Sequence, residues 1–251
     1  TPAINAVATA LTHCNMSESS LSARPAKTPS QRQQLVKDTM VANGIGVIEG
    51  FYSWWAADSQ ILPRTHITGL ELLQQAKDNN QGVILLGAHF TTLDFCGRAL
   101  AQNTTMDTMY QTQSNAVVDF CLKKARLRRY KNVLDKFEMR SLLKNLKSGN
   151  VCWYACDQDF GRENSVFVPF FGVPAATLAT LGRLLKLTKA KPLMVRHYRD
   201  SSQGLAKSQY LIEIIDPFQD SPLDSDDTQN AIKINQALEQ AIRKQPEQYF
   251  W

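Results

Sequence analysis

The sequence predicts an α/β domain with a central mixed, largely parallel sheet flanked by helices. Three observations predict it. The 251 residues are 43% hydrophobic and 20% charged, enough apolar mass for one buried core and too little charge for a chain that stays unfolded. From Gly69 onward, short apolar runs alternate with segments of helical period, the signature of βα units. One of those runs, VILLGA from Val83, has no polar interruption, as befits a strand covered by helices on both faces.

Taken in order, residues 1–34 are expected to be a flexible N-terminal segment and residues 35–251 a single domain. The stretch from Met16 to Gln34 is rich in Ser, Pro, Lys and Arg and poor in large apolar side chains, so it has little to bury. Beyond it, Val41, Ile45, Ile48, Phe51, Tyr52 and Trp55 recur at intervals of three and four, which predicts a helix with a broad apolar stripe. That stripe reads as core. Contact with lipid or an acyl chain is the alternative, because Trp54 and Trp55 adjoin Phe51 and Tyr52. The glycines at 44, 46 and 50 lack phosphate-binding spacing.

A helix over LELLQQAKD (70–78) leads into the VILLGA strand. Helices are expected over 91–103, 116–129 and MRSLLKNLKSG (139–149), the last closed by Gly149, with strands at MDTMYQ (106–111) and VCWYAC (151–156). Residues 157–171 then read as a long turn containing DQDFGREN and VFVPFF. A helix over 175–189 puts Leu178, Leu181, Leu184 and Leu185 on one face. PLMVRHY (192–198) and YLIEII (210–215) are strands, and a last helix spans 227–244.

The net charge of +5 is unevenly spread: residues 121–150 hold ten Lys and Arg against Asp135 and Glu138, and the remainder is net acidic. Such a concentration points to an anionic partner, either phosphate, an acidic protein or a membrane surface, with a solvated helix face as the alternative. No nucleic-acid partner is expected, since no ribonucleoprotein motif, zinc finger or aromatic interleaving accompanies the basic residues. The five cysteines, at 14, 96, 121, 152 and 156, form neither a disulfide framework nor a zinc set and read as reduced thiols facing the cytoplasm. No metal and no tightly held cofactor is expected: there is no Walker loop and no Rossmann fingerprint. No stretch reaches the roughly 20 apolar residues of a membrane-spanning helix. Because the sequence opens on Thr1, a segment upstream of it is left open.

The chemistry concentrates at His89, where VILLGA gives way to the helix TTLDFCGRAL. Ligands in open α/β sheets bind at the carboxyl ends of strands. A neutral imidazole there can take a proton from a hydroxyl near neutral pH. Asp94, five residues on, would accept the other ring N–H and hold the tautomer, as in hydrolase triads but with no serine nucleophile. Asp94 also has a purely structural reading: with Thr91 it approaches a capping box. Backbone N–H groups at the helix start could stabilise an oxyanion. Cys96 reads as a core thiol, and His13, His66 and His197 as structural or surface groups.

The segments GVILLGAHFTTLDF, the R-L-R from Arg126 to Arg128, VCWYACDQDFGRENSVFVPFFGVPAAT and the closing PEQYFW together resemble the late acyltransferases of lipid A biosynthesis, within the wider glycerolipid acyltransferase group. The resemblance covers about Val36 to Trp251. It implies a glycerolipid acyltransferase-like fold and transfer of a fatty acyl group from acyl carrier protein, as co-substrate, to a hydroxyacyl hydroxyl of a Kdo-bearing lipid A precursor, without an acyl-enzyme. It implies work at the cytoplasmic face of the inner membrane. It carries His89 over as general base and Asp94 as its acidic partner. Arg126, with Arg128 beside it, falls on the substrate-phosphate arginine; Asn115 and Asp119 on a polar pair before it; Asp157, Asp159, Gly161 and Arg162 on the signature loop.

Overall fold

A computed structural model of the chain describes residues 28–158, 165–224 and 226–250. Most of the segment expected to be flexible therefore lies outside the described residues, but its last part is helical: α1 runs Pro29–Trp55. Thr28 and Gln31 form a reciprocal capping box and Pro29 occupies the first turn. These local signals start a helix regardless of the polar composition around them.

The remaining helices are α2 (Asp58–Ile61), α3 (Leu70–Asp78), α4 (Leu93–Asn103), α5 (Ala116–Leu127), α6 (Met139–Lys147), α7 (Leu181–Thr188) and α8 (Asp227–Lys244). The strands are β1 (Thr65–Thr68), β2 (Val83–Gly87), β3 (Met106–Tyr110), β4 (Val133–Asp135), β5 (Val151–Ala155), β6 (Ser165–Phe170), β7 (Val173–Leu178), β8 (Lys191–Asp200) and β9 (Gln209–Ile215). Seven of them form one sheet in the order β1-β9-β8-β2-β5-β3-β4. The pairings from β8 through β2, β5 and β3 to β4 are parallel, and only β8–β9 is antiparallel. This is the mixed, largely parallel α/β sheet the sequence predicts. The edge strands β1 and β4, of four and three residues, are too short to show a period and escape sequence reading.

β2 is buried at every position, and its side chains alternate between two cores. Ile84 and Leu86 join Cys152, Tyr154 and Met194 beneath Leu142, Leu181, Leu238 and Ile242 of α6, α7 and α8. Val83 and Leu85 join Trp153, Leu193 and Val195 beneath Leu73, Phe95 and Leu100 of α3 and α4. Each such side chain removed from water contributes about 1.5–3 kcal/mol, so the central strands are held from both sides and their carboxyl ends are fixed in space.

Two expectations are corrected. The helix expected over 175–189 starts only at Leu181, because residues 173–178 pair antiparallel with 165–170 as a separate hairpin. The two-residue turn Phe171-Gly172 has both residues at positive φ, 50° and 81°, which suits the right-handed twist of a hairpin. The leucine spacing mimicked a helix across a strand–helix junction. α8 holds the hairpin: the Asn235 side-chain amide donates to the Pro169 carbonyl at 3.0 Å and to Thr177 Oγ1 at 2.9 Å, and the Phe171 amide donates to Glu239 at 2.6 Å.

The second correction is the apolar stripe of α1, which does not face the core. Ile48 is 71% exposed and Trp55 58%, with Val41, Phe51 and Tyr52 also exposed. The buried face is narrow and small: Leu35, Thr39, Ala42, Gly46 and Ser53. Gly46 has a structural reason, since a Cβ there would lie 2.7 Å from both Cβ and the carbonyl oxygen of Thr91. The absent side chain lets α1 rest directly on the loop that follows β2. Among the described residues, no helix is long and apolar enough to cross a membrane.

Candidate active site

β2 and β5 end level with one another, Gly87 opposite Ala155. Two residues further on each chain, His89 meets Asp157. One carboxylate oxygen lies 2.6 Å from His89 Nδ1, and the other accepts the His89 main-chain N–H at 2.7 Å. An ionised carboxylate can only accept, so Nδ1 carries a proton, and in the neutral imidazole this leaves Nε2 as the basic nitrogen. The Asp157 side chain is 3% exposed while the imidazole is 28% exposed, so the pair presents the ring to a cavity from a dry support. The sequence reading gave this orienting bond to Asp94 and placed Asp157 on the signature loop. The bond belongs to Asp157, because parallel-strand register juxtaposes two loops that lie 68 residues apart in sequence.

Asp94 stands in the first turn of α4 but forms no capping box: the N-cap is Thr92, without a side-chain cap bond. Its carboxylate is taken by Arg126, whose Nε and Nη2 donate to Oδ1 at 3.2 and 2.7 Å. Burial disfavours the Arg126 cation, but the Asp94 carboxylate together with Tyr130 and Tyr110 more than offsets that, and the net shift of its pKa is upward. The guanidinium carbon also lies 5.6 Å from the centre of the Tyr110 ring, a distance that permits a cation–π contact.

Two cavities meet at this point. The first, about 450 Å³, lies under α1 and is lined largely by apolar groups, among them Val47, Phe51, Trp54, Leu93 and Phe250. The second, about 420 Å³, has a more polar wall with Arg126, Lys136, Gln111, Gln113 and Tyr110. His89, Asp94, Leu93 and Gln158 line both.

The chain matches the sequence profile of bacterial lipid A biosynthesis acyltransferases over residues 22–251. It belongs to that family. The acyltransferase is 30% identical over 227 residues to the lipid A biosynthesis lauroyltransferase of Escherichia coli K12, spanning 90% of this chain and 73% of the relative. It is 29% identical over 228 residues to the palmitoleoyltransferase of the same organism, covering 90% and 72%. A lipid A biosynthesis acyltransferase of Haemophilus influenzae is 31% identical over 229 residues, covering 90% and 71%.

The other residues singled out in the acyltransferase sequence are not all brought to the junction. Asn115 is the N-cap of α5: its side-chain oxygen accepts from Val117 and Val118 N–H at 3.0 and 3.2 Å. Asp119 accepts the Tyr110 hydroxyl at 2.5 Å and the Gln113 amide at 2.7 Å. Burial and that bond push the Tyr110 hydroxyl up to about 12. Both residues shape the polar cavity's wall from behind. Arg128 is exposed at the end of α5 and lines neither cavity. Asp159, Gly161 and Arg162 lie outside the described residues. Of the basic residues between 121 and 150, Arg126 and Lys136 line the polar cavity, while Lys123, Lys124, Lys131, Arg140, Lys144 and Lys147 are exposed.

The main-chain amides expected to form an oxyanion hole after His89 are largely spent. Phe90, Thr91 and Leu93 N–H donate to the carbonyls of Ala88, Gln248 and Phe90. Gln158, beside Asp157 and common to both cavities, escaped sequence reasoning, and only its place after the orienting carboxylate could have flagged it. His197 is structural, as expected. It is fully buried, its Nδ1 lies 2.8 Å from Thr92 Oγ1, and burial pushes its pKa down to about 3, so it stays neutral beneath the site. Cys96 is likewise a core thiol, pushed up by burial. Among the described residues no group of three or more His, Cys, Asp or Glu side chains is arranged to hold a metal ion.

Proposed function

We propose that this acyltransferase moves a fatty acyl group from the thioester of acyl carrier protein to the hydroxyl of a hydroxyacyl chain on a Kdo-bearing lipid A precursor, with His89 as general base. The observation that carries this reading is the position of His89, which lines both an apolar cavity suited to an acyl chain and a polar one bearing Arg126 and Lys136. Both substrates can then reach one imidazole at once, and a direct transfer needs no covalent enzyme intermediate. The relatives, a lauroyltransferase and a palmitoleoyltransferase of lipid A biosynthesis, support the substrate class.

In this scheme His89 Nε2 takes the proton of the acceptor hydroxyl as its oxygen attacks the thioester carbonyl. Asp157 holds the ring and stabilises the imidazolium. When the C–S bond breaks, the imidazolium returns the proton to the departing sulfur, and the free thiol of the carrier protein leaves. Arg126 is a fixed cation at the junction, able to meet a substrate phosphate or the charge that develops on the carbonyl oxygen. Asp94 keeps that guanidinium in place. The exposed apolar residues of α1 suit the cytoplasmic surface of the inner membrane, where both an acyl tail and a lipid acceptor would be presented.

The deciding experiment incubates purified protein with acyl carrier protein charged with defined acyl chains and either a Kdo-bearing lipid A precursor or a lysophospholipid, and reads the products by mass spectrometry. Acylation of the lipid A precursor by the wild type, and its loss in His89→Ala, is the expected result. Acylation of the lysophospholipid alone would overturn the acceptor, and undiminished transfer by His89→Ala would overturn the mechanism.

A further inference from the structure

The basic concentration between residues 121 and 150 is only partly used by Arg126 and Lys136, and folding adds to what is left over. On α6, Arg140, Lys144 and Lys147 are exposed and recur at i, i+4 and i+7, so they form one cationic row along the outer side of the helix. α7 packs beside α6 and exposes Arg183 and Lys186, with Lys189 exposed just beyond its end. Leu142, Leu146, Leu181 and Leu184 of these two helices are buried in one core. That burial fixes the apolar sides inward and turns the cations to solvent.

Neither helix contains an acidic residue, and among the described residues none of these six cations forms an ion pair. Glu138, which precedes α6, accepts the Asp135 N–H at 2.7 Å. Like charges so placed weaken a helix slightly and favour an anionic partner. The row also has a direction. α6 begins three residues after Lys136, which lines the polar cavity with His89, and leads away toward the start of β5. Of the large apolar side chains on the two helices only Leu187 is exposed, so the face suits an acidic protein better than the apolar interior of a bilayer. It also lies across the sheet from α4, the helix of the second core against which α1 packs. A bilayer under α1 would leave it open.

We infer that the outer face of α6 and α7 is the docking surface for the acidic carrier protein that brings the acyl thioester. Attraction between this face and an acidic helix draws the two proteins together and sets the orientation in which they meet. Lys136, between the row and His89, marks the route by which the thioester reaches the histidine. The inference rests on the reading of acyl carrier protein as donor, and adds where that protein sits.

Charge reversal tests it. Lys144→Glu/Lys186→Glu should raise KM for an acyl carrier protein thioester about tenfold and leave kcat unchanged, because the groups around His89 are untouched. Added salt should raise the wild-type KM and affect the double variant much less. Lys77→Glu, a reversal at an exposed position on α3 across the sheet, should leave KM as it is. Lys144→Gln/Lys186→Gln removes charge without adding any and should raise KM about threefold, which keeps the question decidable where reversal disturbs folding. A wild-type KM in both double variants, with the carrier protein accepted as donor, overturns the docking face and leaves the donor standing. Weaker binding of the double reversal to phosphatidylglycerol vesicles, at an unchanged KM for the carrier, also overturns it and gives the face to an anionic bilayer. If the wild type takes acyl groups from coenzyme A thioesters alone, the donor and its docking face fall together.

Discussion

His89 and Asp157 face each other two positions beyond Gly87 and Ala155, the last paired residues of adjacent parallel strands. A single carboxylate thereby holds the histidine by its backbone and its ring at once, and the tautomer follows from strand register. Each half of the pair is anchored by a strand buried from both faces.

The first prediction separates the two aspartates. Asp157→Asn should cut kcat by about 10²–10⁴-fold with little change in KM, because an amide can donate to Nδ1 and hold the wrong tautomer. Asp94→Asn should act on Arg126, loosening the guanidinium and raising KM for a phosphorylated acceptor more than it lowers kcat. Steady-state kinetics of the two variants check this; a kcat collapse in Asp94→Asn with a nearly normal Asp157→Asn would reverse the assignment.

A second concerns chain length. Gly50 lines the apolar cavity, and a Cβ there would have as its nearest neighbour Asp94 Oδ2 at 3.8 Å, so a larger side chain fits the backbone but takes up the cavity. Gly50→Leu should reduce kcat/KM for the longest accepted donor about tenfold while sparing shorter ones. Competition between donors, read by product mass, gives the ratio directly.

At Gly46 there is no such room, since the added Cβ would press on Thr91 from 2.7 Å. Gly46→Ala should cost about 1–3 kcal/mol in a denaturant titration. It should also lower turnover, because the backbone it displaces belongs to the His89 loop. An unchanged unfolding midpoint would mean α1 does not rest on that loop.

The buried His197 sets a pH dependence of stability. Its pKa is depressed from 6.5 to about 3 in the folded protein, so as pH falls below 6.5 the unfolded chain binds a proton that the folded one refuses. Its contribution is complete above about pH 6.5 and is lost as pH drops toward 3, at about 1.4 kcal/mol per pH unit. Urea titrations at several acidic pH values should show a shallower decline for His197→Gln than for the wild type; parallel declines would show that this ring charges freely when folded.

Much of the scaffold was legible in the sequence, for reasons that particular segments make plain. VILLGA reads as a strand buried on both faces, VCWYAC as a strand, and LELLQQAKD and 227–244 as helices, because local periodicity acts over a few neighbouring residues. Segments whose state depends on a distant partner were not legible. The α1 stripe looks like core by spacing yet faces outward, since its small opposite face is what fits the His89 loop. Residues 173–178 share their leucine pattern with a helix, yet pair with 165–170 around Phe171 and Gly172.

The site divides in the same way. The sequence alone singled out His89, because a histidine at the end of a buried strand is conspicuous from its immediate neighbours, and it set Arg126 in the basic stretch. Only the tertiary structure decided that Asp157 orients the ring, that Asp94 serves Arg126, and that residues 248–250 pair with the His89 loop. Those relations depend on parallel strands and a returning chain end, which bring together groups scores of residues apart, and no spacing along the chain encodes the register that aligns them.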